Sequence, residues 1–112
     1  MRLLPLRRSH PRYPVQKIAS YHYEGRSFLT LTLDLGLGGM KIKTHQFLSE
    51  DERLKFKLVL GRDSIWLKGR IAHSLYLPDK QSVSGIQFIE VSQRDRLLLE
   101  NYLSTLNQWL KQ

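Results

Sequence analysis

The sequence predicts a mainly β fold, with about six antiparallel strands and a closing C-terminal helix arranged as a small barrel or sandwich. Three observations predict it. Apolar and polar residues alternate with period two in short runs between residues 15 and 88. Glycine, proline and aspartate punctuate those runs every 8–12 residues or so. After Ser92 the apolar spacing changes to three and four, the period of a helix.

The elements follow in order. Residues 1–12 carry Arg2, Arg7, Arg8 and Arg12 with Pro5 and Pro11, and proline resists helix, so this stretch reads as a basic arm. Val15 to Tyr23 is rich in β-branched and aromatic residues, and Glu24-Gly25 supplies a turn. Arg26 to Leu33 follows, with Leu29, Leu31 and Leu33 on one face and Phe28, Thr30 and Thr32 on the other. Together these form a predicted hairpin.

Asp34-Leu35-Gly36-Leu37-Gly38-Gly39 is expected to break the strand as a tight turn, its glycines supplying positive φ. Met40-Lys41-Ile42-Lys43 alternates apolar and basic and reads as a half-buried strand. Ser49-Glu50-Asp51-Glu52 has capping-box spacing, compatible with one helical turn. Leu54 to Leu60 places Leu54, Phe56, Leu58 and Leu60 opposite Lys55, Lys57 and Val59. Gly61-Arg62-Asp63 turns the chain into a long strand, where Ile65, Leu67, Gly69, Ile71 and His73 share a face. Pro78-Asp79-Lys80 marks a loop, and Val83 to Phe88 a short strand.

Ser92 is a predicted N-cap with Asp95 three positions on. Leu98, Leu99, Tyr102, Leu103, Leu106, Trp109 and Leu110 then fall on one helical stripe, which is expected to pack on the strands.

Composition narrows the function classes. The 112 residues fit one domain, with 41% apolar and 25% charged residues, as in an ordinary globular protein. There is no cysteine, which excludes disulfides, thiol catalysis and cysteine-based zinc sites. The apolar start, Met1 to Leu6, is stopped by Arg7 and Arg8 and is too short for a signal peptide. With no run long enough to cross a membrane, the expected location is the cytoplasm. The net charge of +8 favours anionic partners. His10, His22, His45 and His73 show no metal-ligand spacing, and no catalytic set of side chains stands out. Gly36-Leu37-Gly38-Gly39 is not a dinucleotide fingerprint, since Lys41 stands where its last glycine belongs and a strand follows.

Two stretches carry chemistry together. Arg8-Ser9-His10-Pro11-Arg12 matches an R-x-x-x-R motif. Asp34 to Gly39 matches D/N-x-S-x-x-G at Asp34 and Gly39, with Gly36 in place of serine. In this order and at this separation the pair resembles the PilZ family of cyclic di-GMP receptors. Gly69-Arg70-Ile71 and Gly85-Ile86-Gln87-Phe88 are similar to that family's later strands. The resemblance implies a single-domain bacterial member with a six-stranded antiparallel, Greek-key-like β-barrel and a C-terminal α-helix. The division would be a mobile basic arm over 1–12, a barrel over 13–91 and a helix over 92–112.

The resemblance further implies second-messenger binding without catalysis, with cyclic di-GMP as ligand at one barrel mouth and no other cofactor. The implied ligand-binding residues are Arg7, Arg8, Arg12, Asp34, Gly36, Gly39 and His73. Arginine forks grip phosphate oxygens or guanine O6 and N7, and they stack on purine faces. Asp34 would accept from the guanine N1–H and amine. Gly39 would permit close approach, and His73 would stack on a base. Arg7 would favour two intercalated ligands. A serine hydroxyl at position 36 would add about 0.5–1.5 kcal/mol, so Gly36 should weaken binding without abolishing it.

The arm would order over the ligand and so signal to an unidentified protein effector; no specific nucleic-acid partner is expected. Two alternatives stand beside this reading. One is a degenerate PilZ-like adaptor that binds protein and no nucleotide. The other is a small basic β-barrel for single-stranded nucleic acid, with Tyr13, Tyr21, Tyr23 and Phe28 as platforms unless they form the barrel wall.

Overall fold

The alternating runs become seven strands and one helix in the computed structural model, which describes residues 10–110. The strands are β1 (Arg12–Tyr13), β2 (Ile18–Tyr23), β3 (Arg26–Gly36), β4 (Gly39–Thr44), β5 (Arg53–Leu60), β6 (Asp63–Tyr76) and β7 (Ser82–Val91); the helix is α1 (Gln93–Leu110). All pairings are antiparallel. The order β3-β2-β5-β6-β7-β4 is closed by a β3–β4 pairing, giving the six-stranded barrel and C-terminal helix that the family resemblance implies. The short β1 adds to β3 beyond the end of β2, with Tyr13 opposite Leu35 and Arg12 opposite Gly36.

Strand β5 shows why the pattern works. Leu54, Phe56, Leu58 and Leu60 are buried while Arg53 and Lys55 face solvent. Strand β3 is less obvious. Its first leucines point outward, with Leu29 78% and Leu31 46% exposed, whereas Thr30, Thr32 and, after the bulge, Leu35 face the interior. Those hydroxyls are satisfied by backbone: Thr30 Oγ1 donates to Lys43 O and Thr32 Oγ1 to Val15 O. A buried hydroxyl is tolerated only with such partners. Tyr21 and Phe28 stack at 5.5 Å in the wall, and Tyr13 and Tyr23 pack against the core. These four aromatics thus form barrel wall.

Three expectations are corrected. Residues Asp34 to Gly36 do not break the strand; β3 runs through them, and only Leu37 and Gly38 separate it from β4. The glycines there serve close approach, because positive φ among glycines occurs only at Gly25 and Gly61 of the described residues. His73 leaves the face shared by Ile65, Leu67 and Ile71, because the β6–β7 register shifts between Ile71 and His73. Such a bulge re-aims every later side chain. The segment Ser49 to Glu52 forms a hydrogen-bonded turn without a helix, stitched to β6 by Asp51 N–H to Ile71 O (2.8 Å) and Ile71 N–H to Glu52 O (2.9 Å).

Helix α1 begins as predicted. Ser92 Oγ accepts from the Asp95 N–H at 3.1 Å. Asp95 itself, 6% exposed, accepts from the Trp66 backbone N–H at 3.0 Å and so ties the helix to β6. Leu99 and Leu103 are buried, with Leu98, Tyr102 and Leu106 packed beside them. The packed stripe ends there: Trp109 is 73% exposed, contrary to its place in the predicted stripe.

Burial also sets a pH limit. Desolvation, aided by the neighbouring Tyr23 phenol, raises the Tyr21 pKa to about 12, although a hydrogen bond from Thr44 opposes the shift. The unfolded phenol releases its proton near pH 10. The folded state therefore holds a proton that the unfolded state has lost, and stability falls as pH rises from about 10 to about 12. Urea denaturation across that range should show a falling midpoint, and Tyr21→Phe should flatten the fall.

Candidate ligand site

The site is built where β1 meets the end of β3. Thr32 anchors the approach. Its hydroxyl donates to Val15 O (2.6 Å) and accepts from the Lys17 N–H (2.9 Å), while its own N–H donates to Lys17 O (2.9 Å). This fixes the segment between β1 and β2 and sets β1 against Leu35 and Gly36.

At that point the backbones are too close for side chains. A Cβ at Gly36 would lie 2.5 Å from Pro11 O and 3.0 Å from Arg12 Cγ. A Cβ at Gly39 would strike Ile86 O and lie 2.5 Å from Arg12 Nη2. A Cβ at Gly38 would press on the His10 ring at 3.1 Å. The bare glycines thus let Arg12 lay its guanidinium across Gly39. There Arg12 Nη1 donates to Asp34 Oδ1 at 3.3 Å, with the two side chains 15% and 17% exposed.

Asp34 points outward because the β3–β4 register shifts between Thr32 and Asp34. One register row then crosses four strands: Asp34 opposite Lys41, Lys41 opposite Gly85, and Gly85 opposite His73. Paired residues share a face, so this row lies on the outer wall and spans roughly 14 Å at the usual strand spacing. Gly85 carries no Cβ, and the His73 ring fills that space. The next outward row holds Gly39, Gln87 and Arg70. Arg70 is pinned, donating from Nε (3.0 Å) and Nη2 (2.8 Å) to Gln87 Oε1 and from Nη1 to Asp51 Oδ1 (2.6 Å).

The structure therefore brings Arg12, Asp34, Gly36 and Gly39 into one corner and places His73 at the far end of the row through Asp34. Arg7 and Arg8 lie outside the described residues. Sequence reasoning missed Lys41 beside Asp34. Its outward direction was legible from the alternation after Met40, but its neighbour depends on a strand pairing that no local pattern states. Among the described residues no cluster of histidine and carboxylate side chains could hold a metal ion. Among them, too, no helix is long and apolar enough to cross a membrane.

The fold and this corner define a closed antiparallel β-barrel with a C-terminal helix, carrying an arginine–aspartate pair on its outer wall. The family model for the PilZ domain matches residues 6–105, and the chain belongs to that family. No curated relative matches it in sequence. Among solved structures it is similar to the Klebsiella pneumoniae MrkH–c-di-GMP complex, with a TM-score of 0.80 and 23% identity over 96% of this chain and 56% of that one. It is similar to the Bacillus subtilis inhibitor of motility MotI/DgrA, with a TM-score of 0.78 and 16% identity over 96% of this chain and 54% of that one. It is also similar to the PilZ domain of Escherichia coli YcgR with c-di-GMP, with a TM-score of 0.73 and 14% identity over 95% of each chain. The chain spans about half the length of MrkH and MotI.

The glycine corner yields a prediction opposite to simple motif repair. Gly36→Ser should not gain a hydrogen bond; it should push β1 off β3 and destabilise the fold by about 1–3 kcal/mol. Gly39→Ala should displace the Arg12 guanidinium with a similar loss. Thermal denaturation of both variants, compared with the parent, checks this.

Proposed function

We propose that this chain is a non-enzymatic cyclic di-GMP receptor and adaptor whose N-terminal arginines close over the ligand. The observation that carries it is the Arg12–Asp34 pair at the glycine corner. A ligand bearing phosphates and a guanine edge needs a guanidinium fork beside a carboxylate. Asp34 accepts from the guanine N1–H and exocyclic amine, while Arg12 grips phosphate or purine. Membership of the PilZ family and likeness to solved structures described as c-di-GMP complexes support the same ligand.

In this reading Arg8 completes the R-x-x-x-R grip, and Arg7 favours a second intercalated ligand. The His73 ring offers a stacking face at the other end of the row. Lys41 lies between them and meets the ligand's negative charge. Ligand binding orders the arginine arm across the corner, and the altered surface is what a protein effector reads. The cytoplasm, where a second messenger acts, is the compartment this role calls for.

Calorimetry tests the reading directly. The parent should bind cyclic di-GMP in preference to GTP. Arg12→Ala and Arg8→Ala should each weaken binding by about 2–5 kcal/mol, as expected for one partner of a desolvated charge pair. Asp34→Ala should narrow the preference for cyclic di-GMP over cyclic di-AMP. Unchanged affinity in both arginine variants would remove the arm from the site.

A further inference from the structure

A second surface lies on the barrel wall built by β2, β5 and the first half of β6, away from the Arg12–Asp34 corner. Its outward ladder places like charges directly opposite each other: Arg53 faces Arg70, and Lys55 faces Lys68. Such pairs destabilise a sheet. Arg70 is neutralised by Asp51 and Lys68 by Glu90 at 3.5 Å. Among the described residues no carboxylate forms an ion pair with Arg53, Lys55 or Lys57. Arg53 and Lys55 thus stand opposite cations with no carboxylate of their own, and a local rule left partly uncompensated points to a partner.

The next pair in the same ladder is Lys57 opposite Trp66. The Trp66 indole is 59% exposed, between the buried Ile65 and Leu67. Lys57 Nζ sits 5.5 Å from its ring centroid. Trp66 and Lys55 form the wall between two open grooves. One, of about 460 Å³, continues along Lys68 and Ser92; the other, of about 350 Å³, along His22 and Ser27. An exposed flat ring with space beside it and a line of amines next to it has the chemistry of a base platform bordered by a phosphate track. An acidic peptide would satisfy the amines, but a flat ring at every step of an anionic chain is a property of a nucleic-acid strand. A duplex keeps its bases stacked and would leave the ring unused.

We infer that this face binds single-stranded nucleic acid without sequence preference, stacking a base on Trp66 and laying phosphates along Arg53, Lys55 and Lys57. The inference is independent of the cyclic di-GMP reading, because it uses none of the same residues.

Fluorescence anisotropy of the full chain with labelled oligothymidylate at low salt tests it. The parent should bind. Trp66→Ala should weaken binding about tenfold to a hundredfold, and Trp66→Phe should retain most of it. The double variant Lys55→Glu, Lys57→Glu should abolish binding, and Lys55→Ala, Lys57→Ala should lower the slope of log affinity against log salt by about 1.4. Circular dichroism of each variant separates these losses from unfolding, and the salt slope of Lys55→Ala, Lys57→Ala carries the test if Trp66→Ala does not fold. Absence of binding, equal affinity of parent and folded Trp66→Ala, or equally tight binding of polyglutamate or of a duplex would each overturn the inference.

Discussion

Arg12 can reach Asp34 only because two neighbouring positions carry no side chain. Gly36 lets the backbone of β1 lie on β3, and Gly39 lets the guanidinium lie across β4. The rest of the corner depends on this close approach. Thr32 holds the segment that delivers β1, and the register shift before Asp34 turns the carboxylate outward to meet it. The pair is therefore a product of backbone packing as much as of charge. Coulomb attraction between two largely covered groups at 3.3 Å is strengthened by their partial removal from water.

Much of the fold was legible because the barrel is built from locally consistent pieces. The alternation in β5, the Glu24-Gly25 turn and the Ser92 cap each agree with the tertiary arrangement. What escaped was non-local. The Gly36 and Gly39 signal was visible, but its cause was misread: glycine there answers to Pro11, Arg12 and Ile86, which are distant in sequence or on another strand. His73 was placed on the inward face because strict period two was carried through residue 72, where a bulge resets it. Trp109 follows the helical stripe in sequence yet finds no surface to cover. In the site, Asp34 and Arg12 were found from motif spacing, whereas Lys41 required knowledge of which strands pair.

The two charged surfaces divide the chain's +8 charge in different ways. At the glycine corner a cation is held against a carboxylate, an arrangement that discriminates by shape and hydrogen-bond pattern. On the Trp66 face cations stand opposite cations, an arrangement that attracts negative charge with little regard to geometry. Under the two proposals, one barrel separates a selective surface from a permissive one by placing them on different strands.

Closure of the barrel has its own consequence. Each of the six strands in the ring has a partner strand on both sides, so among the described strands the two-residue β1 alone stands at a sheet edge over its whole length. A partner therefore meets only partial stretches of unpaired main chain, such as the end of β6 beyond Ile71 on its β5 side, and strand addition has little to extend. Docking on the barrel itself therefore relies mainly on side chains of the outer wall, residues that can change without disturbing the ring.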